Sequence, residues 1–321
     1  MEQGQKPPGA VESDPQAGIR RVMMPLVSVI MASYNHAQYV AESIMSIVNQ
    51  SYANIEIIVI DDGSADSSPK ILSELSAKYG FRLILQSNSG IARTFNLGIS
   101  LTKGKYICVT SSDDVWTRSK IGRQVEYMEN NPGVAVCGGI VKLMNEDGEV
   151  ADINWLIHPK VLTFDDIFVS GERLFAFTAM IRRTVLTDVG LYDPELSVED
   201  LYMWLKITHK GYKMAVLDDL LGYYRVHKTN IHRNVKLIIE SVERILLTYK
   251  NEPYYESALN RFYLRQFCVL APQDKKAALE ILRKYRFSIL DAGLFLISLI
   301  LFLVPINIYV LIKRHVFRKK A

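Results

Sequence analysis

The sequence predicts an α/β protein built on a mostly parallel sheet with helices on its faces. Three apolar runs, Val27–Met31, Ile55–Ile60 and Lys105–Thr110, are β-rich and too short for buried helices. Each stops on polar or acidic residues, and each leads toward a segment with helical character. Repeated strand–helix units of this kind share one ligand edge, at the carboxyl ends of the strands.

Met1 to about Met24 is rich in Gly, Pro, Gln and charge and has no apolar h-region, which predicts a disordered leader and not a signal peptide. Val27–Met31 ends at Ser33-Tyr34-Asn35 and opens into an amphipathic helix running to about Asn49. Ile55–Ile60 stops at Asp61-Asp62-Gly63-Ser64. Gly63 permits a tight turn there, and Ser64 or Asp66 is placed to cap the next helix. The third run ends in Ser111-Ser112-Asp113-Asp114-Val115-Trp116. Carboxylates are costly to bury without partners, so Asp113 and Asp114 are expected at the exposed carboxyl end of their strand. A carboxylate pair there suits a hard divalent cation shared with phosphate oxygens. The same pair would also serve as an Asp-rich turn before a helix starting near Thr117.

Strand–helix alternation continues to Val134–Cys137 and loosens from Asn145 to Phe168. Leu201, Leu205 and Thr208 mark a helix beginning at Glu199-Asp200. Negative charge is favoured at a helix N-terminus, and capping by such residues is routine. Tyr223-Tyr224 belongs to a short strand whose alternation puts Arg225 and His227 on one face. A helical stretch from about Asn234 to Tyr285 leads into an apolar C-terminus. The chain thus divides into a leader (1–24), an α/β domain (25–232), a helical extension (233–287) and a hydrophobic membrane-associating segment with a basic tail (288–321).

A chain of 321 residues with 49% hydrophobic content can bury a full catalytic core and carry something extra. Cys108, Cys137 and Cys268 show no paired or metal-ligand spacing, which fits a reducing compartment. Net charge is +4, yet Lys313, Arg314, Arg318, Lys319 and Lys320 supply five positives at the C-terminus. Without those five, 33 basic residues face 34 acidic ones, so the body is neutral and no nucleic-acid-binding face is indicated.

Six motifs, in order and at consistent spacing, carry a resemblance. They are Val27-Ser-Val-Ile-Met-Ala-Ser-Tyr-Asn35, Ile60-Asp-Asp-Gly-Ser-Ala-Asp66, Asn88-Ser-Gly-Ile-Ala-Arg-Thr-Phe-Asn96, Ser112-Asp-Asp-Val-Trp116, Val198-Glu-Asp-Leu-Tyr-Met-Trp204 and Tyr224-Arg-Val-His227. From about Pro25 to about Asn230 the chain resembles the family 2 glycosyltransferases of bacterial polysaccharide type, inverting sugar-nucleotide-dependent enzymes of the GT-A fold. The resemblance implies that Tyr34, Asp61, Asp62, Asn96, Asp113 and Arg225 hold a nucleoside-diphosphate sugar. It further implies a Mg2+ or Mn2+ ion at Asp114, Asp113 and His227, with Asp113 on either the ribose or the cation. Asp200 becomes the general base, with Glu199 its rival. The family often has a further acidic residue where Ser111 stands, so this chain offers two carboxylates in the metal motif and would lean on the donor diphosphate.

Residues 292–312 carry no charge and are about long enough for one bilayer span. Arg283, Lys284 and Arg286 precede them and the richer basic cluster follows, so a single span would export the larger positive charge. Pro305 and Asn307 favour a re-entrant or interface-lying hairpin with both basic flanks on the cytoplasmic side. That location, on the cytoplasmic face of the cell membrane, implies a lipid-linked glycan acceptor such as an undecaprenyl-linked precursor of O-antigen, capsule or exopolysaccharide. The acceptor would be held by the region from about Asn145 to Thr178. Two other classes remain: a nucleotidyltransferase, although Ser33-Tyr-Asn-His36 is not its Gly-rich basic loop, and an inactive sugar-nucleotide-binding scaffold. Oligomeric state is left open.

Overall fold

The computed structural model describes residues 24–151, 159–228, 230, 234–271 and 274–285. The leader before Met24 and the apolar segment 292–312 lie outside the described residues. Among the described residues no helix is long and apolar enough to cross a membrane.

The element order begins β1 (Val27–Ser33), α1 (Val40–Val48), β2 (Ile55–Asp62), α2 (Ser68–Tyr79), β3 (Arg82–Gln86), α3 (Ile91–Leu101) and β4 (Tyr106–Ser111). It continues with β5 (Val115–Trp116), α4 (Lys120–Asn130), β6 (Val134–Met144), β7 (Lys160–Leu162), α5 (Phe164–Phe168), β8 (Met180–Arg182), α6 (Arg183–Val189), α7 (Glu199–His209) and β9 (Lys213–Arg225). Three helices, α8 (Val235–Thr248), α9 (Tyr255–Leu270) and α10 (Lys275–Lys284), close the described chain. One sheet runs β3-β2-β1-β4-β8-β6-β9-β5, with β7 on β9. The long strands are mutually parallel, and only the short β5, β7 and β8 run against their neighbours.

Both faces of this sheet are covered, and the strands show it residue by residue. On β1, Val27, Val29 and Met31 join one core with α1, α2 and α4, while Ile30 joins a second core with α3 and α7. On β4, Tyr106 and Cys108 go to the first and Ile107 and Val109 to the second. Period-two side-chain alternation between two apolar faces explains why these strands read as unbroken hydrophobic runs. Helix α1 buries Val40, Ser43, Ile44 and Ile47, the one-faced spacing of an amphipathic helix. The helices of 234–285 belong to the second core through Val242, Ile245, Phe262, Phe267 and Ile281, so they pack with α7 instead of trailing from it.

Local boundaries differ from the sequence reading where side chains take unforeseen partners. β2 runs on through Asp61 and Asp62 because β3 pairs with both. Ser64 does not cap α2; its hydroxyl donates to Asp61 Oδ2 at 2.7 Å. Asp66 accepts from Ser68 N–H at 2.9 Å, close to the expected cap. α4 starts at Lys120 and not near Thr117, because Val115 and Trp116 form a strand against Tyr223 and Gly222.

Gly63 holds the turn after β2 at φ 77°, and a Cβ there would lie 2.7 Å from the Asn88 backbone nitrogen. Gly63→Ala is therefore expected to destabilise the protein by about 1–3 kcal/mol. Urea unfolding measures this, and an unchanged midpoint would show that the turn accepts a side chain.

Candidate active site

β1 lies between β2 and β4, with the chain crossing back after β3, so the sheet has a switch point at the carboxyl ends of β1 and β4. Such a point opens a crevice in α/β sheets. Register levels the ends: Ser33 pairs with Asp61, and Ala32 with Ser111.

The turns after β1 and β2 are tied to each other. Asn35, at φ 53°, accepts from Ala65 N–H at 2.8 Å and donates its own N–H to Ser64 Oγ. Ala37 N–H donates to Asp66 Oδ2 at 2.9 Å, and His36 N–H to Ser68 Oγ at 3.1 Å. These bonds leave Tyr34 projecting, 49% exposed, at the mouth of the crevice. The two acids that end β2 are buried and differ in what they have left. Asp61 accepts only from Ser64, through N–H and hydroxyl. Asp62 accepts from Gln86 Nε2, from Ser89 N–H and hydroxyl, and from Gly90 N–H. Burial raises the Asp62 pKa, but these donors outweigh it and hold the carboxyl below its ordinary range. A carboxylate has roughly four acceptor sites, so Asp62 is filled and Asp61 half-filled. Asp62, expected on the donor, anchors the start of α3 through these bonds.

Asp113 and Asp114 follow β4 as expected, but they are buried, not exposed. The end of β9 folds over them. Arg225 N–H donates to Asp114 Oδ1 at 3.0 Å, and Arg225 Nε to the Asp113 carbonyl at 2.9 Å. The same guanidinium donates to the Asn145 and Glu146 carbonyls, pairs with Glu42 and lies over the Tyr39 ring. Arg225, expected on the donor diphosphate, is 1% exposed, with its guanidinium engaged beneath the acidic turn. Burial and the Asp113 charge push the Asp114 carboxyl well above its usual range, against the Arg225 contacts.

Asp113 instead faces two imidazoles. His227 Nε2 lies 2.9 Å from its Oδ2, and His36 Nδ1 lies 3.9 Å from its Oδ1. One ligand atom from each of His36, Asp113 and His227 falls within 4.8 Å of the others, and Asp114 is outside this group. Asp113 Oδ1 is buried without a hydrogen-bond partner, an unmet acceptor that a cation would satisfy. Burial lowers the His36 pKa, and the Asp113 charge only partly opposes this, so the ring keeps a lone pair at neutral pH. Among the described residues, His36, Asp113 and His227 form a group that could hold a metal ion. Asp114, expected beside Asp113 at the metal, has its Oδ1 on the Arg225 backbone N–H. His36 was missed by the sequence reading; the available signal was its place just beyond β1 on the shared edge. Asn230, also missed, accepts from the His227 backbone N–H at 2.6 Å, and its amide nitrogen lies 3.0 Å from His227 Nε2.

Glu199 and Asp200 open α7 and are half-buried. Burial and then the Asp200 charge push Glu199 up to about 8. Burial raises Asp200 also, while the Arg173 cation pulls it back. Tyr224 on β9 has its hydroxyl pKa raised by burial and then by the charges of Asp114, Asp113 and Asp200. Asn96 stands apart. Its amide donates to the Tyr192 carbonyl at 2.8 Å and accepts from Tyr192 N–H at 3.0 Å. Expected on the donor, it ties α3 to the segment before α7.

A family model described as glycosyl transferase family 2 matches residues 28–190, the stretch that supplies β1, β2 and β4 and every site residue up to Asp114. The chain belongs to glycosyl transferase family 2. It is a glycosyltransferase. TuaG of Bacillus subtilis, whose name assigns it to teichuronic acid biosynthesis, is 31% identical over 65% of this chain and 82% of its own. The Escherichia coli UDP-Glc:alpha-D-GlcNAc-diphosphoundecaprenol beta-1,3-glucosyltransferase WfaP is 30% identical over 66% of this chain and 81% of its own. Residues 1–349 of S. aureus TarS, solved with UDP-GlcNAc, superpose with a TM-score of 0.62 at 18% identity, covering 85% of this chain and 79% of that one. The fold is thus the mixed α/β, GT-A architecture expected of the family.

Removing the Arg225 side chain leaves Glu42 and the Asp113, Asn145 and Glu146 carbonyls without their donor, while the backbone N–H to Asp114 stays. Arg225→Met is expected to cost about 3–5 kcal/mol of stability, whereas Glu42→Gln, at the exposed end of the pair, costs less than about 1 kcal/mol. Equal losses in chemical unfolding would contradict this division.

Proposed function

We propose that this glycosyltransferase moves a sugar from a nucleoside diphosphate to a hydroxyl of a lipid-linked glycan, by one displacement that inverts the anomeric carbon. The observation that carries the reading is the cluster of Asp113 with His36 and His227 at the carboxyl ends of β1 and β4, the sheet edge where a cation and a diphosphate would meet. Tyr34, exposed beside the half-filled Asp61, offers a face for the base and an acceptor for its N–H. Asp113 and His227 would hold Mg2+ or Mn2+, which when bound supplies Lewis-acid stabilisation of the departing diphosphate. Arg225 fixes the direction in which Asp113 faces.

Asp200 accepts the proton of the attacking hydroxyl. The neighbouring carboxyls divide the roles: Glu199, pushed up to about 8, keeps its proton near neutrality, and Arg173 favours the charged form of Asp200. WfaP supports the acceptor class, since its name specifies a diphosphoundecaprenol-linked sugar. A β-linkage made from UDP-Glc is also the outcome of an inverting displacement. TarS with UDP-GlcNAc supports a nucleotide-sugar donor. We place the enzyme at the cytoplasmic membrane face, through the apolar segment 292–312 and its basic flanks, where a lipid-linked precursor meets a soluble donor.

The test is nucleoside diphosphate release from UDP, GDP and dTDP sugars by the full chain with a polyprenyl-linked acceptor extract. Asp200→Asn should reduce turnover by on the order of a hundredfold or more. Turnover that survives would transfer the base role to Glu199. Turnover should also fall in EDTA and return with Mn2+ or Mg2+. Because the Asp200 pKa is raised, the base form is lost as pH falls, so the acid limb should lie above the ordinary carboxylate value of about 4. Removing the cation in Arg173→Met disfavours the charged form and should move that limb further up. A limb at the ordinary value in both proteins would remove Asp200 from proton transfer.

A further inference from the structure

His36 reaches the acidic turn from the opposite side to His227, and nothing in the metal motif of β4 announces it. The two rings stand edge to face, 5.4 Å between centroids, with Asp113 between their nitrogens. His36 is held there by its backbone and its ring. Its N–H donates to Ser68 Oγ, and its Nδ1 meets Ser112 Oγ at 2.9 Å. Tyr39 packs against both imidazoles, at 6.1 Å from His36 and 5.1 Å from His227. The positions of all three ligand groups are thereby set by packing before any cation arrives.

The spacing suits one ion. With metal–ligand bonds of about 2.1 Å, neighbouring donors sit about 3 Å apart and opposite donors about 4 Å apart. His227 Nε2 lies 2.9 Å from Asp113 Oδ2 and His36 Nδ1 3.9 Å from Asp113 Oδ1, and one donor atom of each residue lies within 4.8 Å of the others, close enough for small side-chain shifts to bring all three onto one ion. Asp113 is 6% exposed, and its unpartnered Oδ1 is the atom that faces His36. The Ser112 hydroxyl is a small rotor that can turn from Nδ1 when a cation takes the lone pair.

We propose that His36 is a direct metal ligand, completing with Asp113 and His227 a two-imidazole, one-carboxylate face that prefers Mn2+ over Mg2+. This rests on the metal assignment in the proposed function and adds both a ligand and a selectivity to it. Mg2+ is a hard ion that favours oxygen and keeps its water, whereas imidazole nitrogen suits first-row transition ions. Two nitrogens in three protein ligands therefore weight the site against Mg2+. The remaining positions of the ion are left to water and the diphosphate oxygens. Ser111, where the family often has an acidic residue, removes an oxygen ligand that would have favoured Mg2+.

The decisive measurement is pulsed electron paramagnetic resonance of Mn2+ bound to the full chain in detergent, alone and with UDP or GDP. It counts coordinated 14N nuclei and needs no turnover. Native protein should show two histidine nitrogens and His36→Gln one, with Mn2+ affinity lowered about tenfold or more and Mg2+ affinity little changed. Thermal unfolding confirms that the variant is folded; should it not fold, the nitrogen count of the native protein decides alone. One nitrogen in native protein, or identical spectra in the two proteins, overturns the role of His36 and leaves the donor-site reading intact. Equal competition by Mg2+ and Mn2+ overturns the selectivity. Native protein that binds no Mn2+, even with UDP and GDP, overturns both this inference and the metal assignment beneath it.

Discussion

The buried guanidinium of Arg225 is the contact on which the rest of the site depends. Its Nε binds the Asp113 carbonyl, its backbone N–H the Asp114 carboxylate, and its outer nitrogens reach Glu42 and the loop at Asn145 and Glu146. One side chain thus joins the ends of β4, β6 and β9 to α1. Planar, multidentate and permanently charged, arginine is suited to such a junction in a way that lysine is not. Folding the end of β9 over the acidic turn makes burial of two adjacent carboxylates tolerable, because each has a donor or an ion-pairing group at hand.

The acidic residues at the crevice fall into two groups by what their oxygens already hold. Asp62 and Asp66 are engaged with backbone and hydroxyl donors, and Asp114 is fixed on the Arg225 N–H. They shape the turns that carry the ligand-facing groups. Asp113 and Asp200 keep capacity, and both sit where burial makes an unmet charge consequential. A preorganised scaffold of filled carboxylates around a few unfilled ones lets charge be placed without reorganisation when a ligand binds. The start of α7 is built differently. Asn96 fixes Tyr192 ahead of α7, and Trp204 Nε1 donates to the Leu174 carbonyl at 3.0 Å, so Asp200 is presented from a packed helix start.

The α/β class, the three leading strands, the α1 helix and the family were legible in the sequence because they depend on local pattern. Apolar runs of five or six residues, each stopped by polar residues, specify strands wherever the chain lies. The ligand edge was legible too, since strand ends in a parallel sheet point one way. Asp113, Asp200 and His227 could be singled out from motifs written within a few residues of one another. The partners of Asp62, Asn96, Asp114 and Arg225 were not legible, because what each oxygen or nitrogen binds is a long-range fact. The Gln86 and Ser89 donors to Asp62 come from across the next helix, and the Arg225 contacts to Asp113 and Asp114 span more than a hundred residues.

His36 marks the boundary most clearly. In sequence it is one histidine after a strand, 77 residues before Asp113 and 191 before His227. Only the crossover that sets β1 beside β4, and the fold of β9 back over that edge, brings the three together. By itself the sequence determined which segments form strands and helices and which edge of the sheet carries the chemistry, because periodicity and turn residues act over short distances. The tertiary structure decided which of the acidic and basic groups at that edge are spoken for and which remain to meet a ligand, because hydrogen bonds and ion pairs are made between neighbours in space.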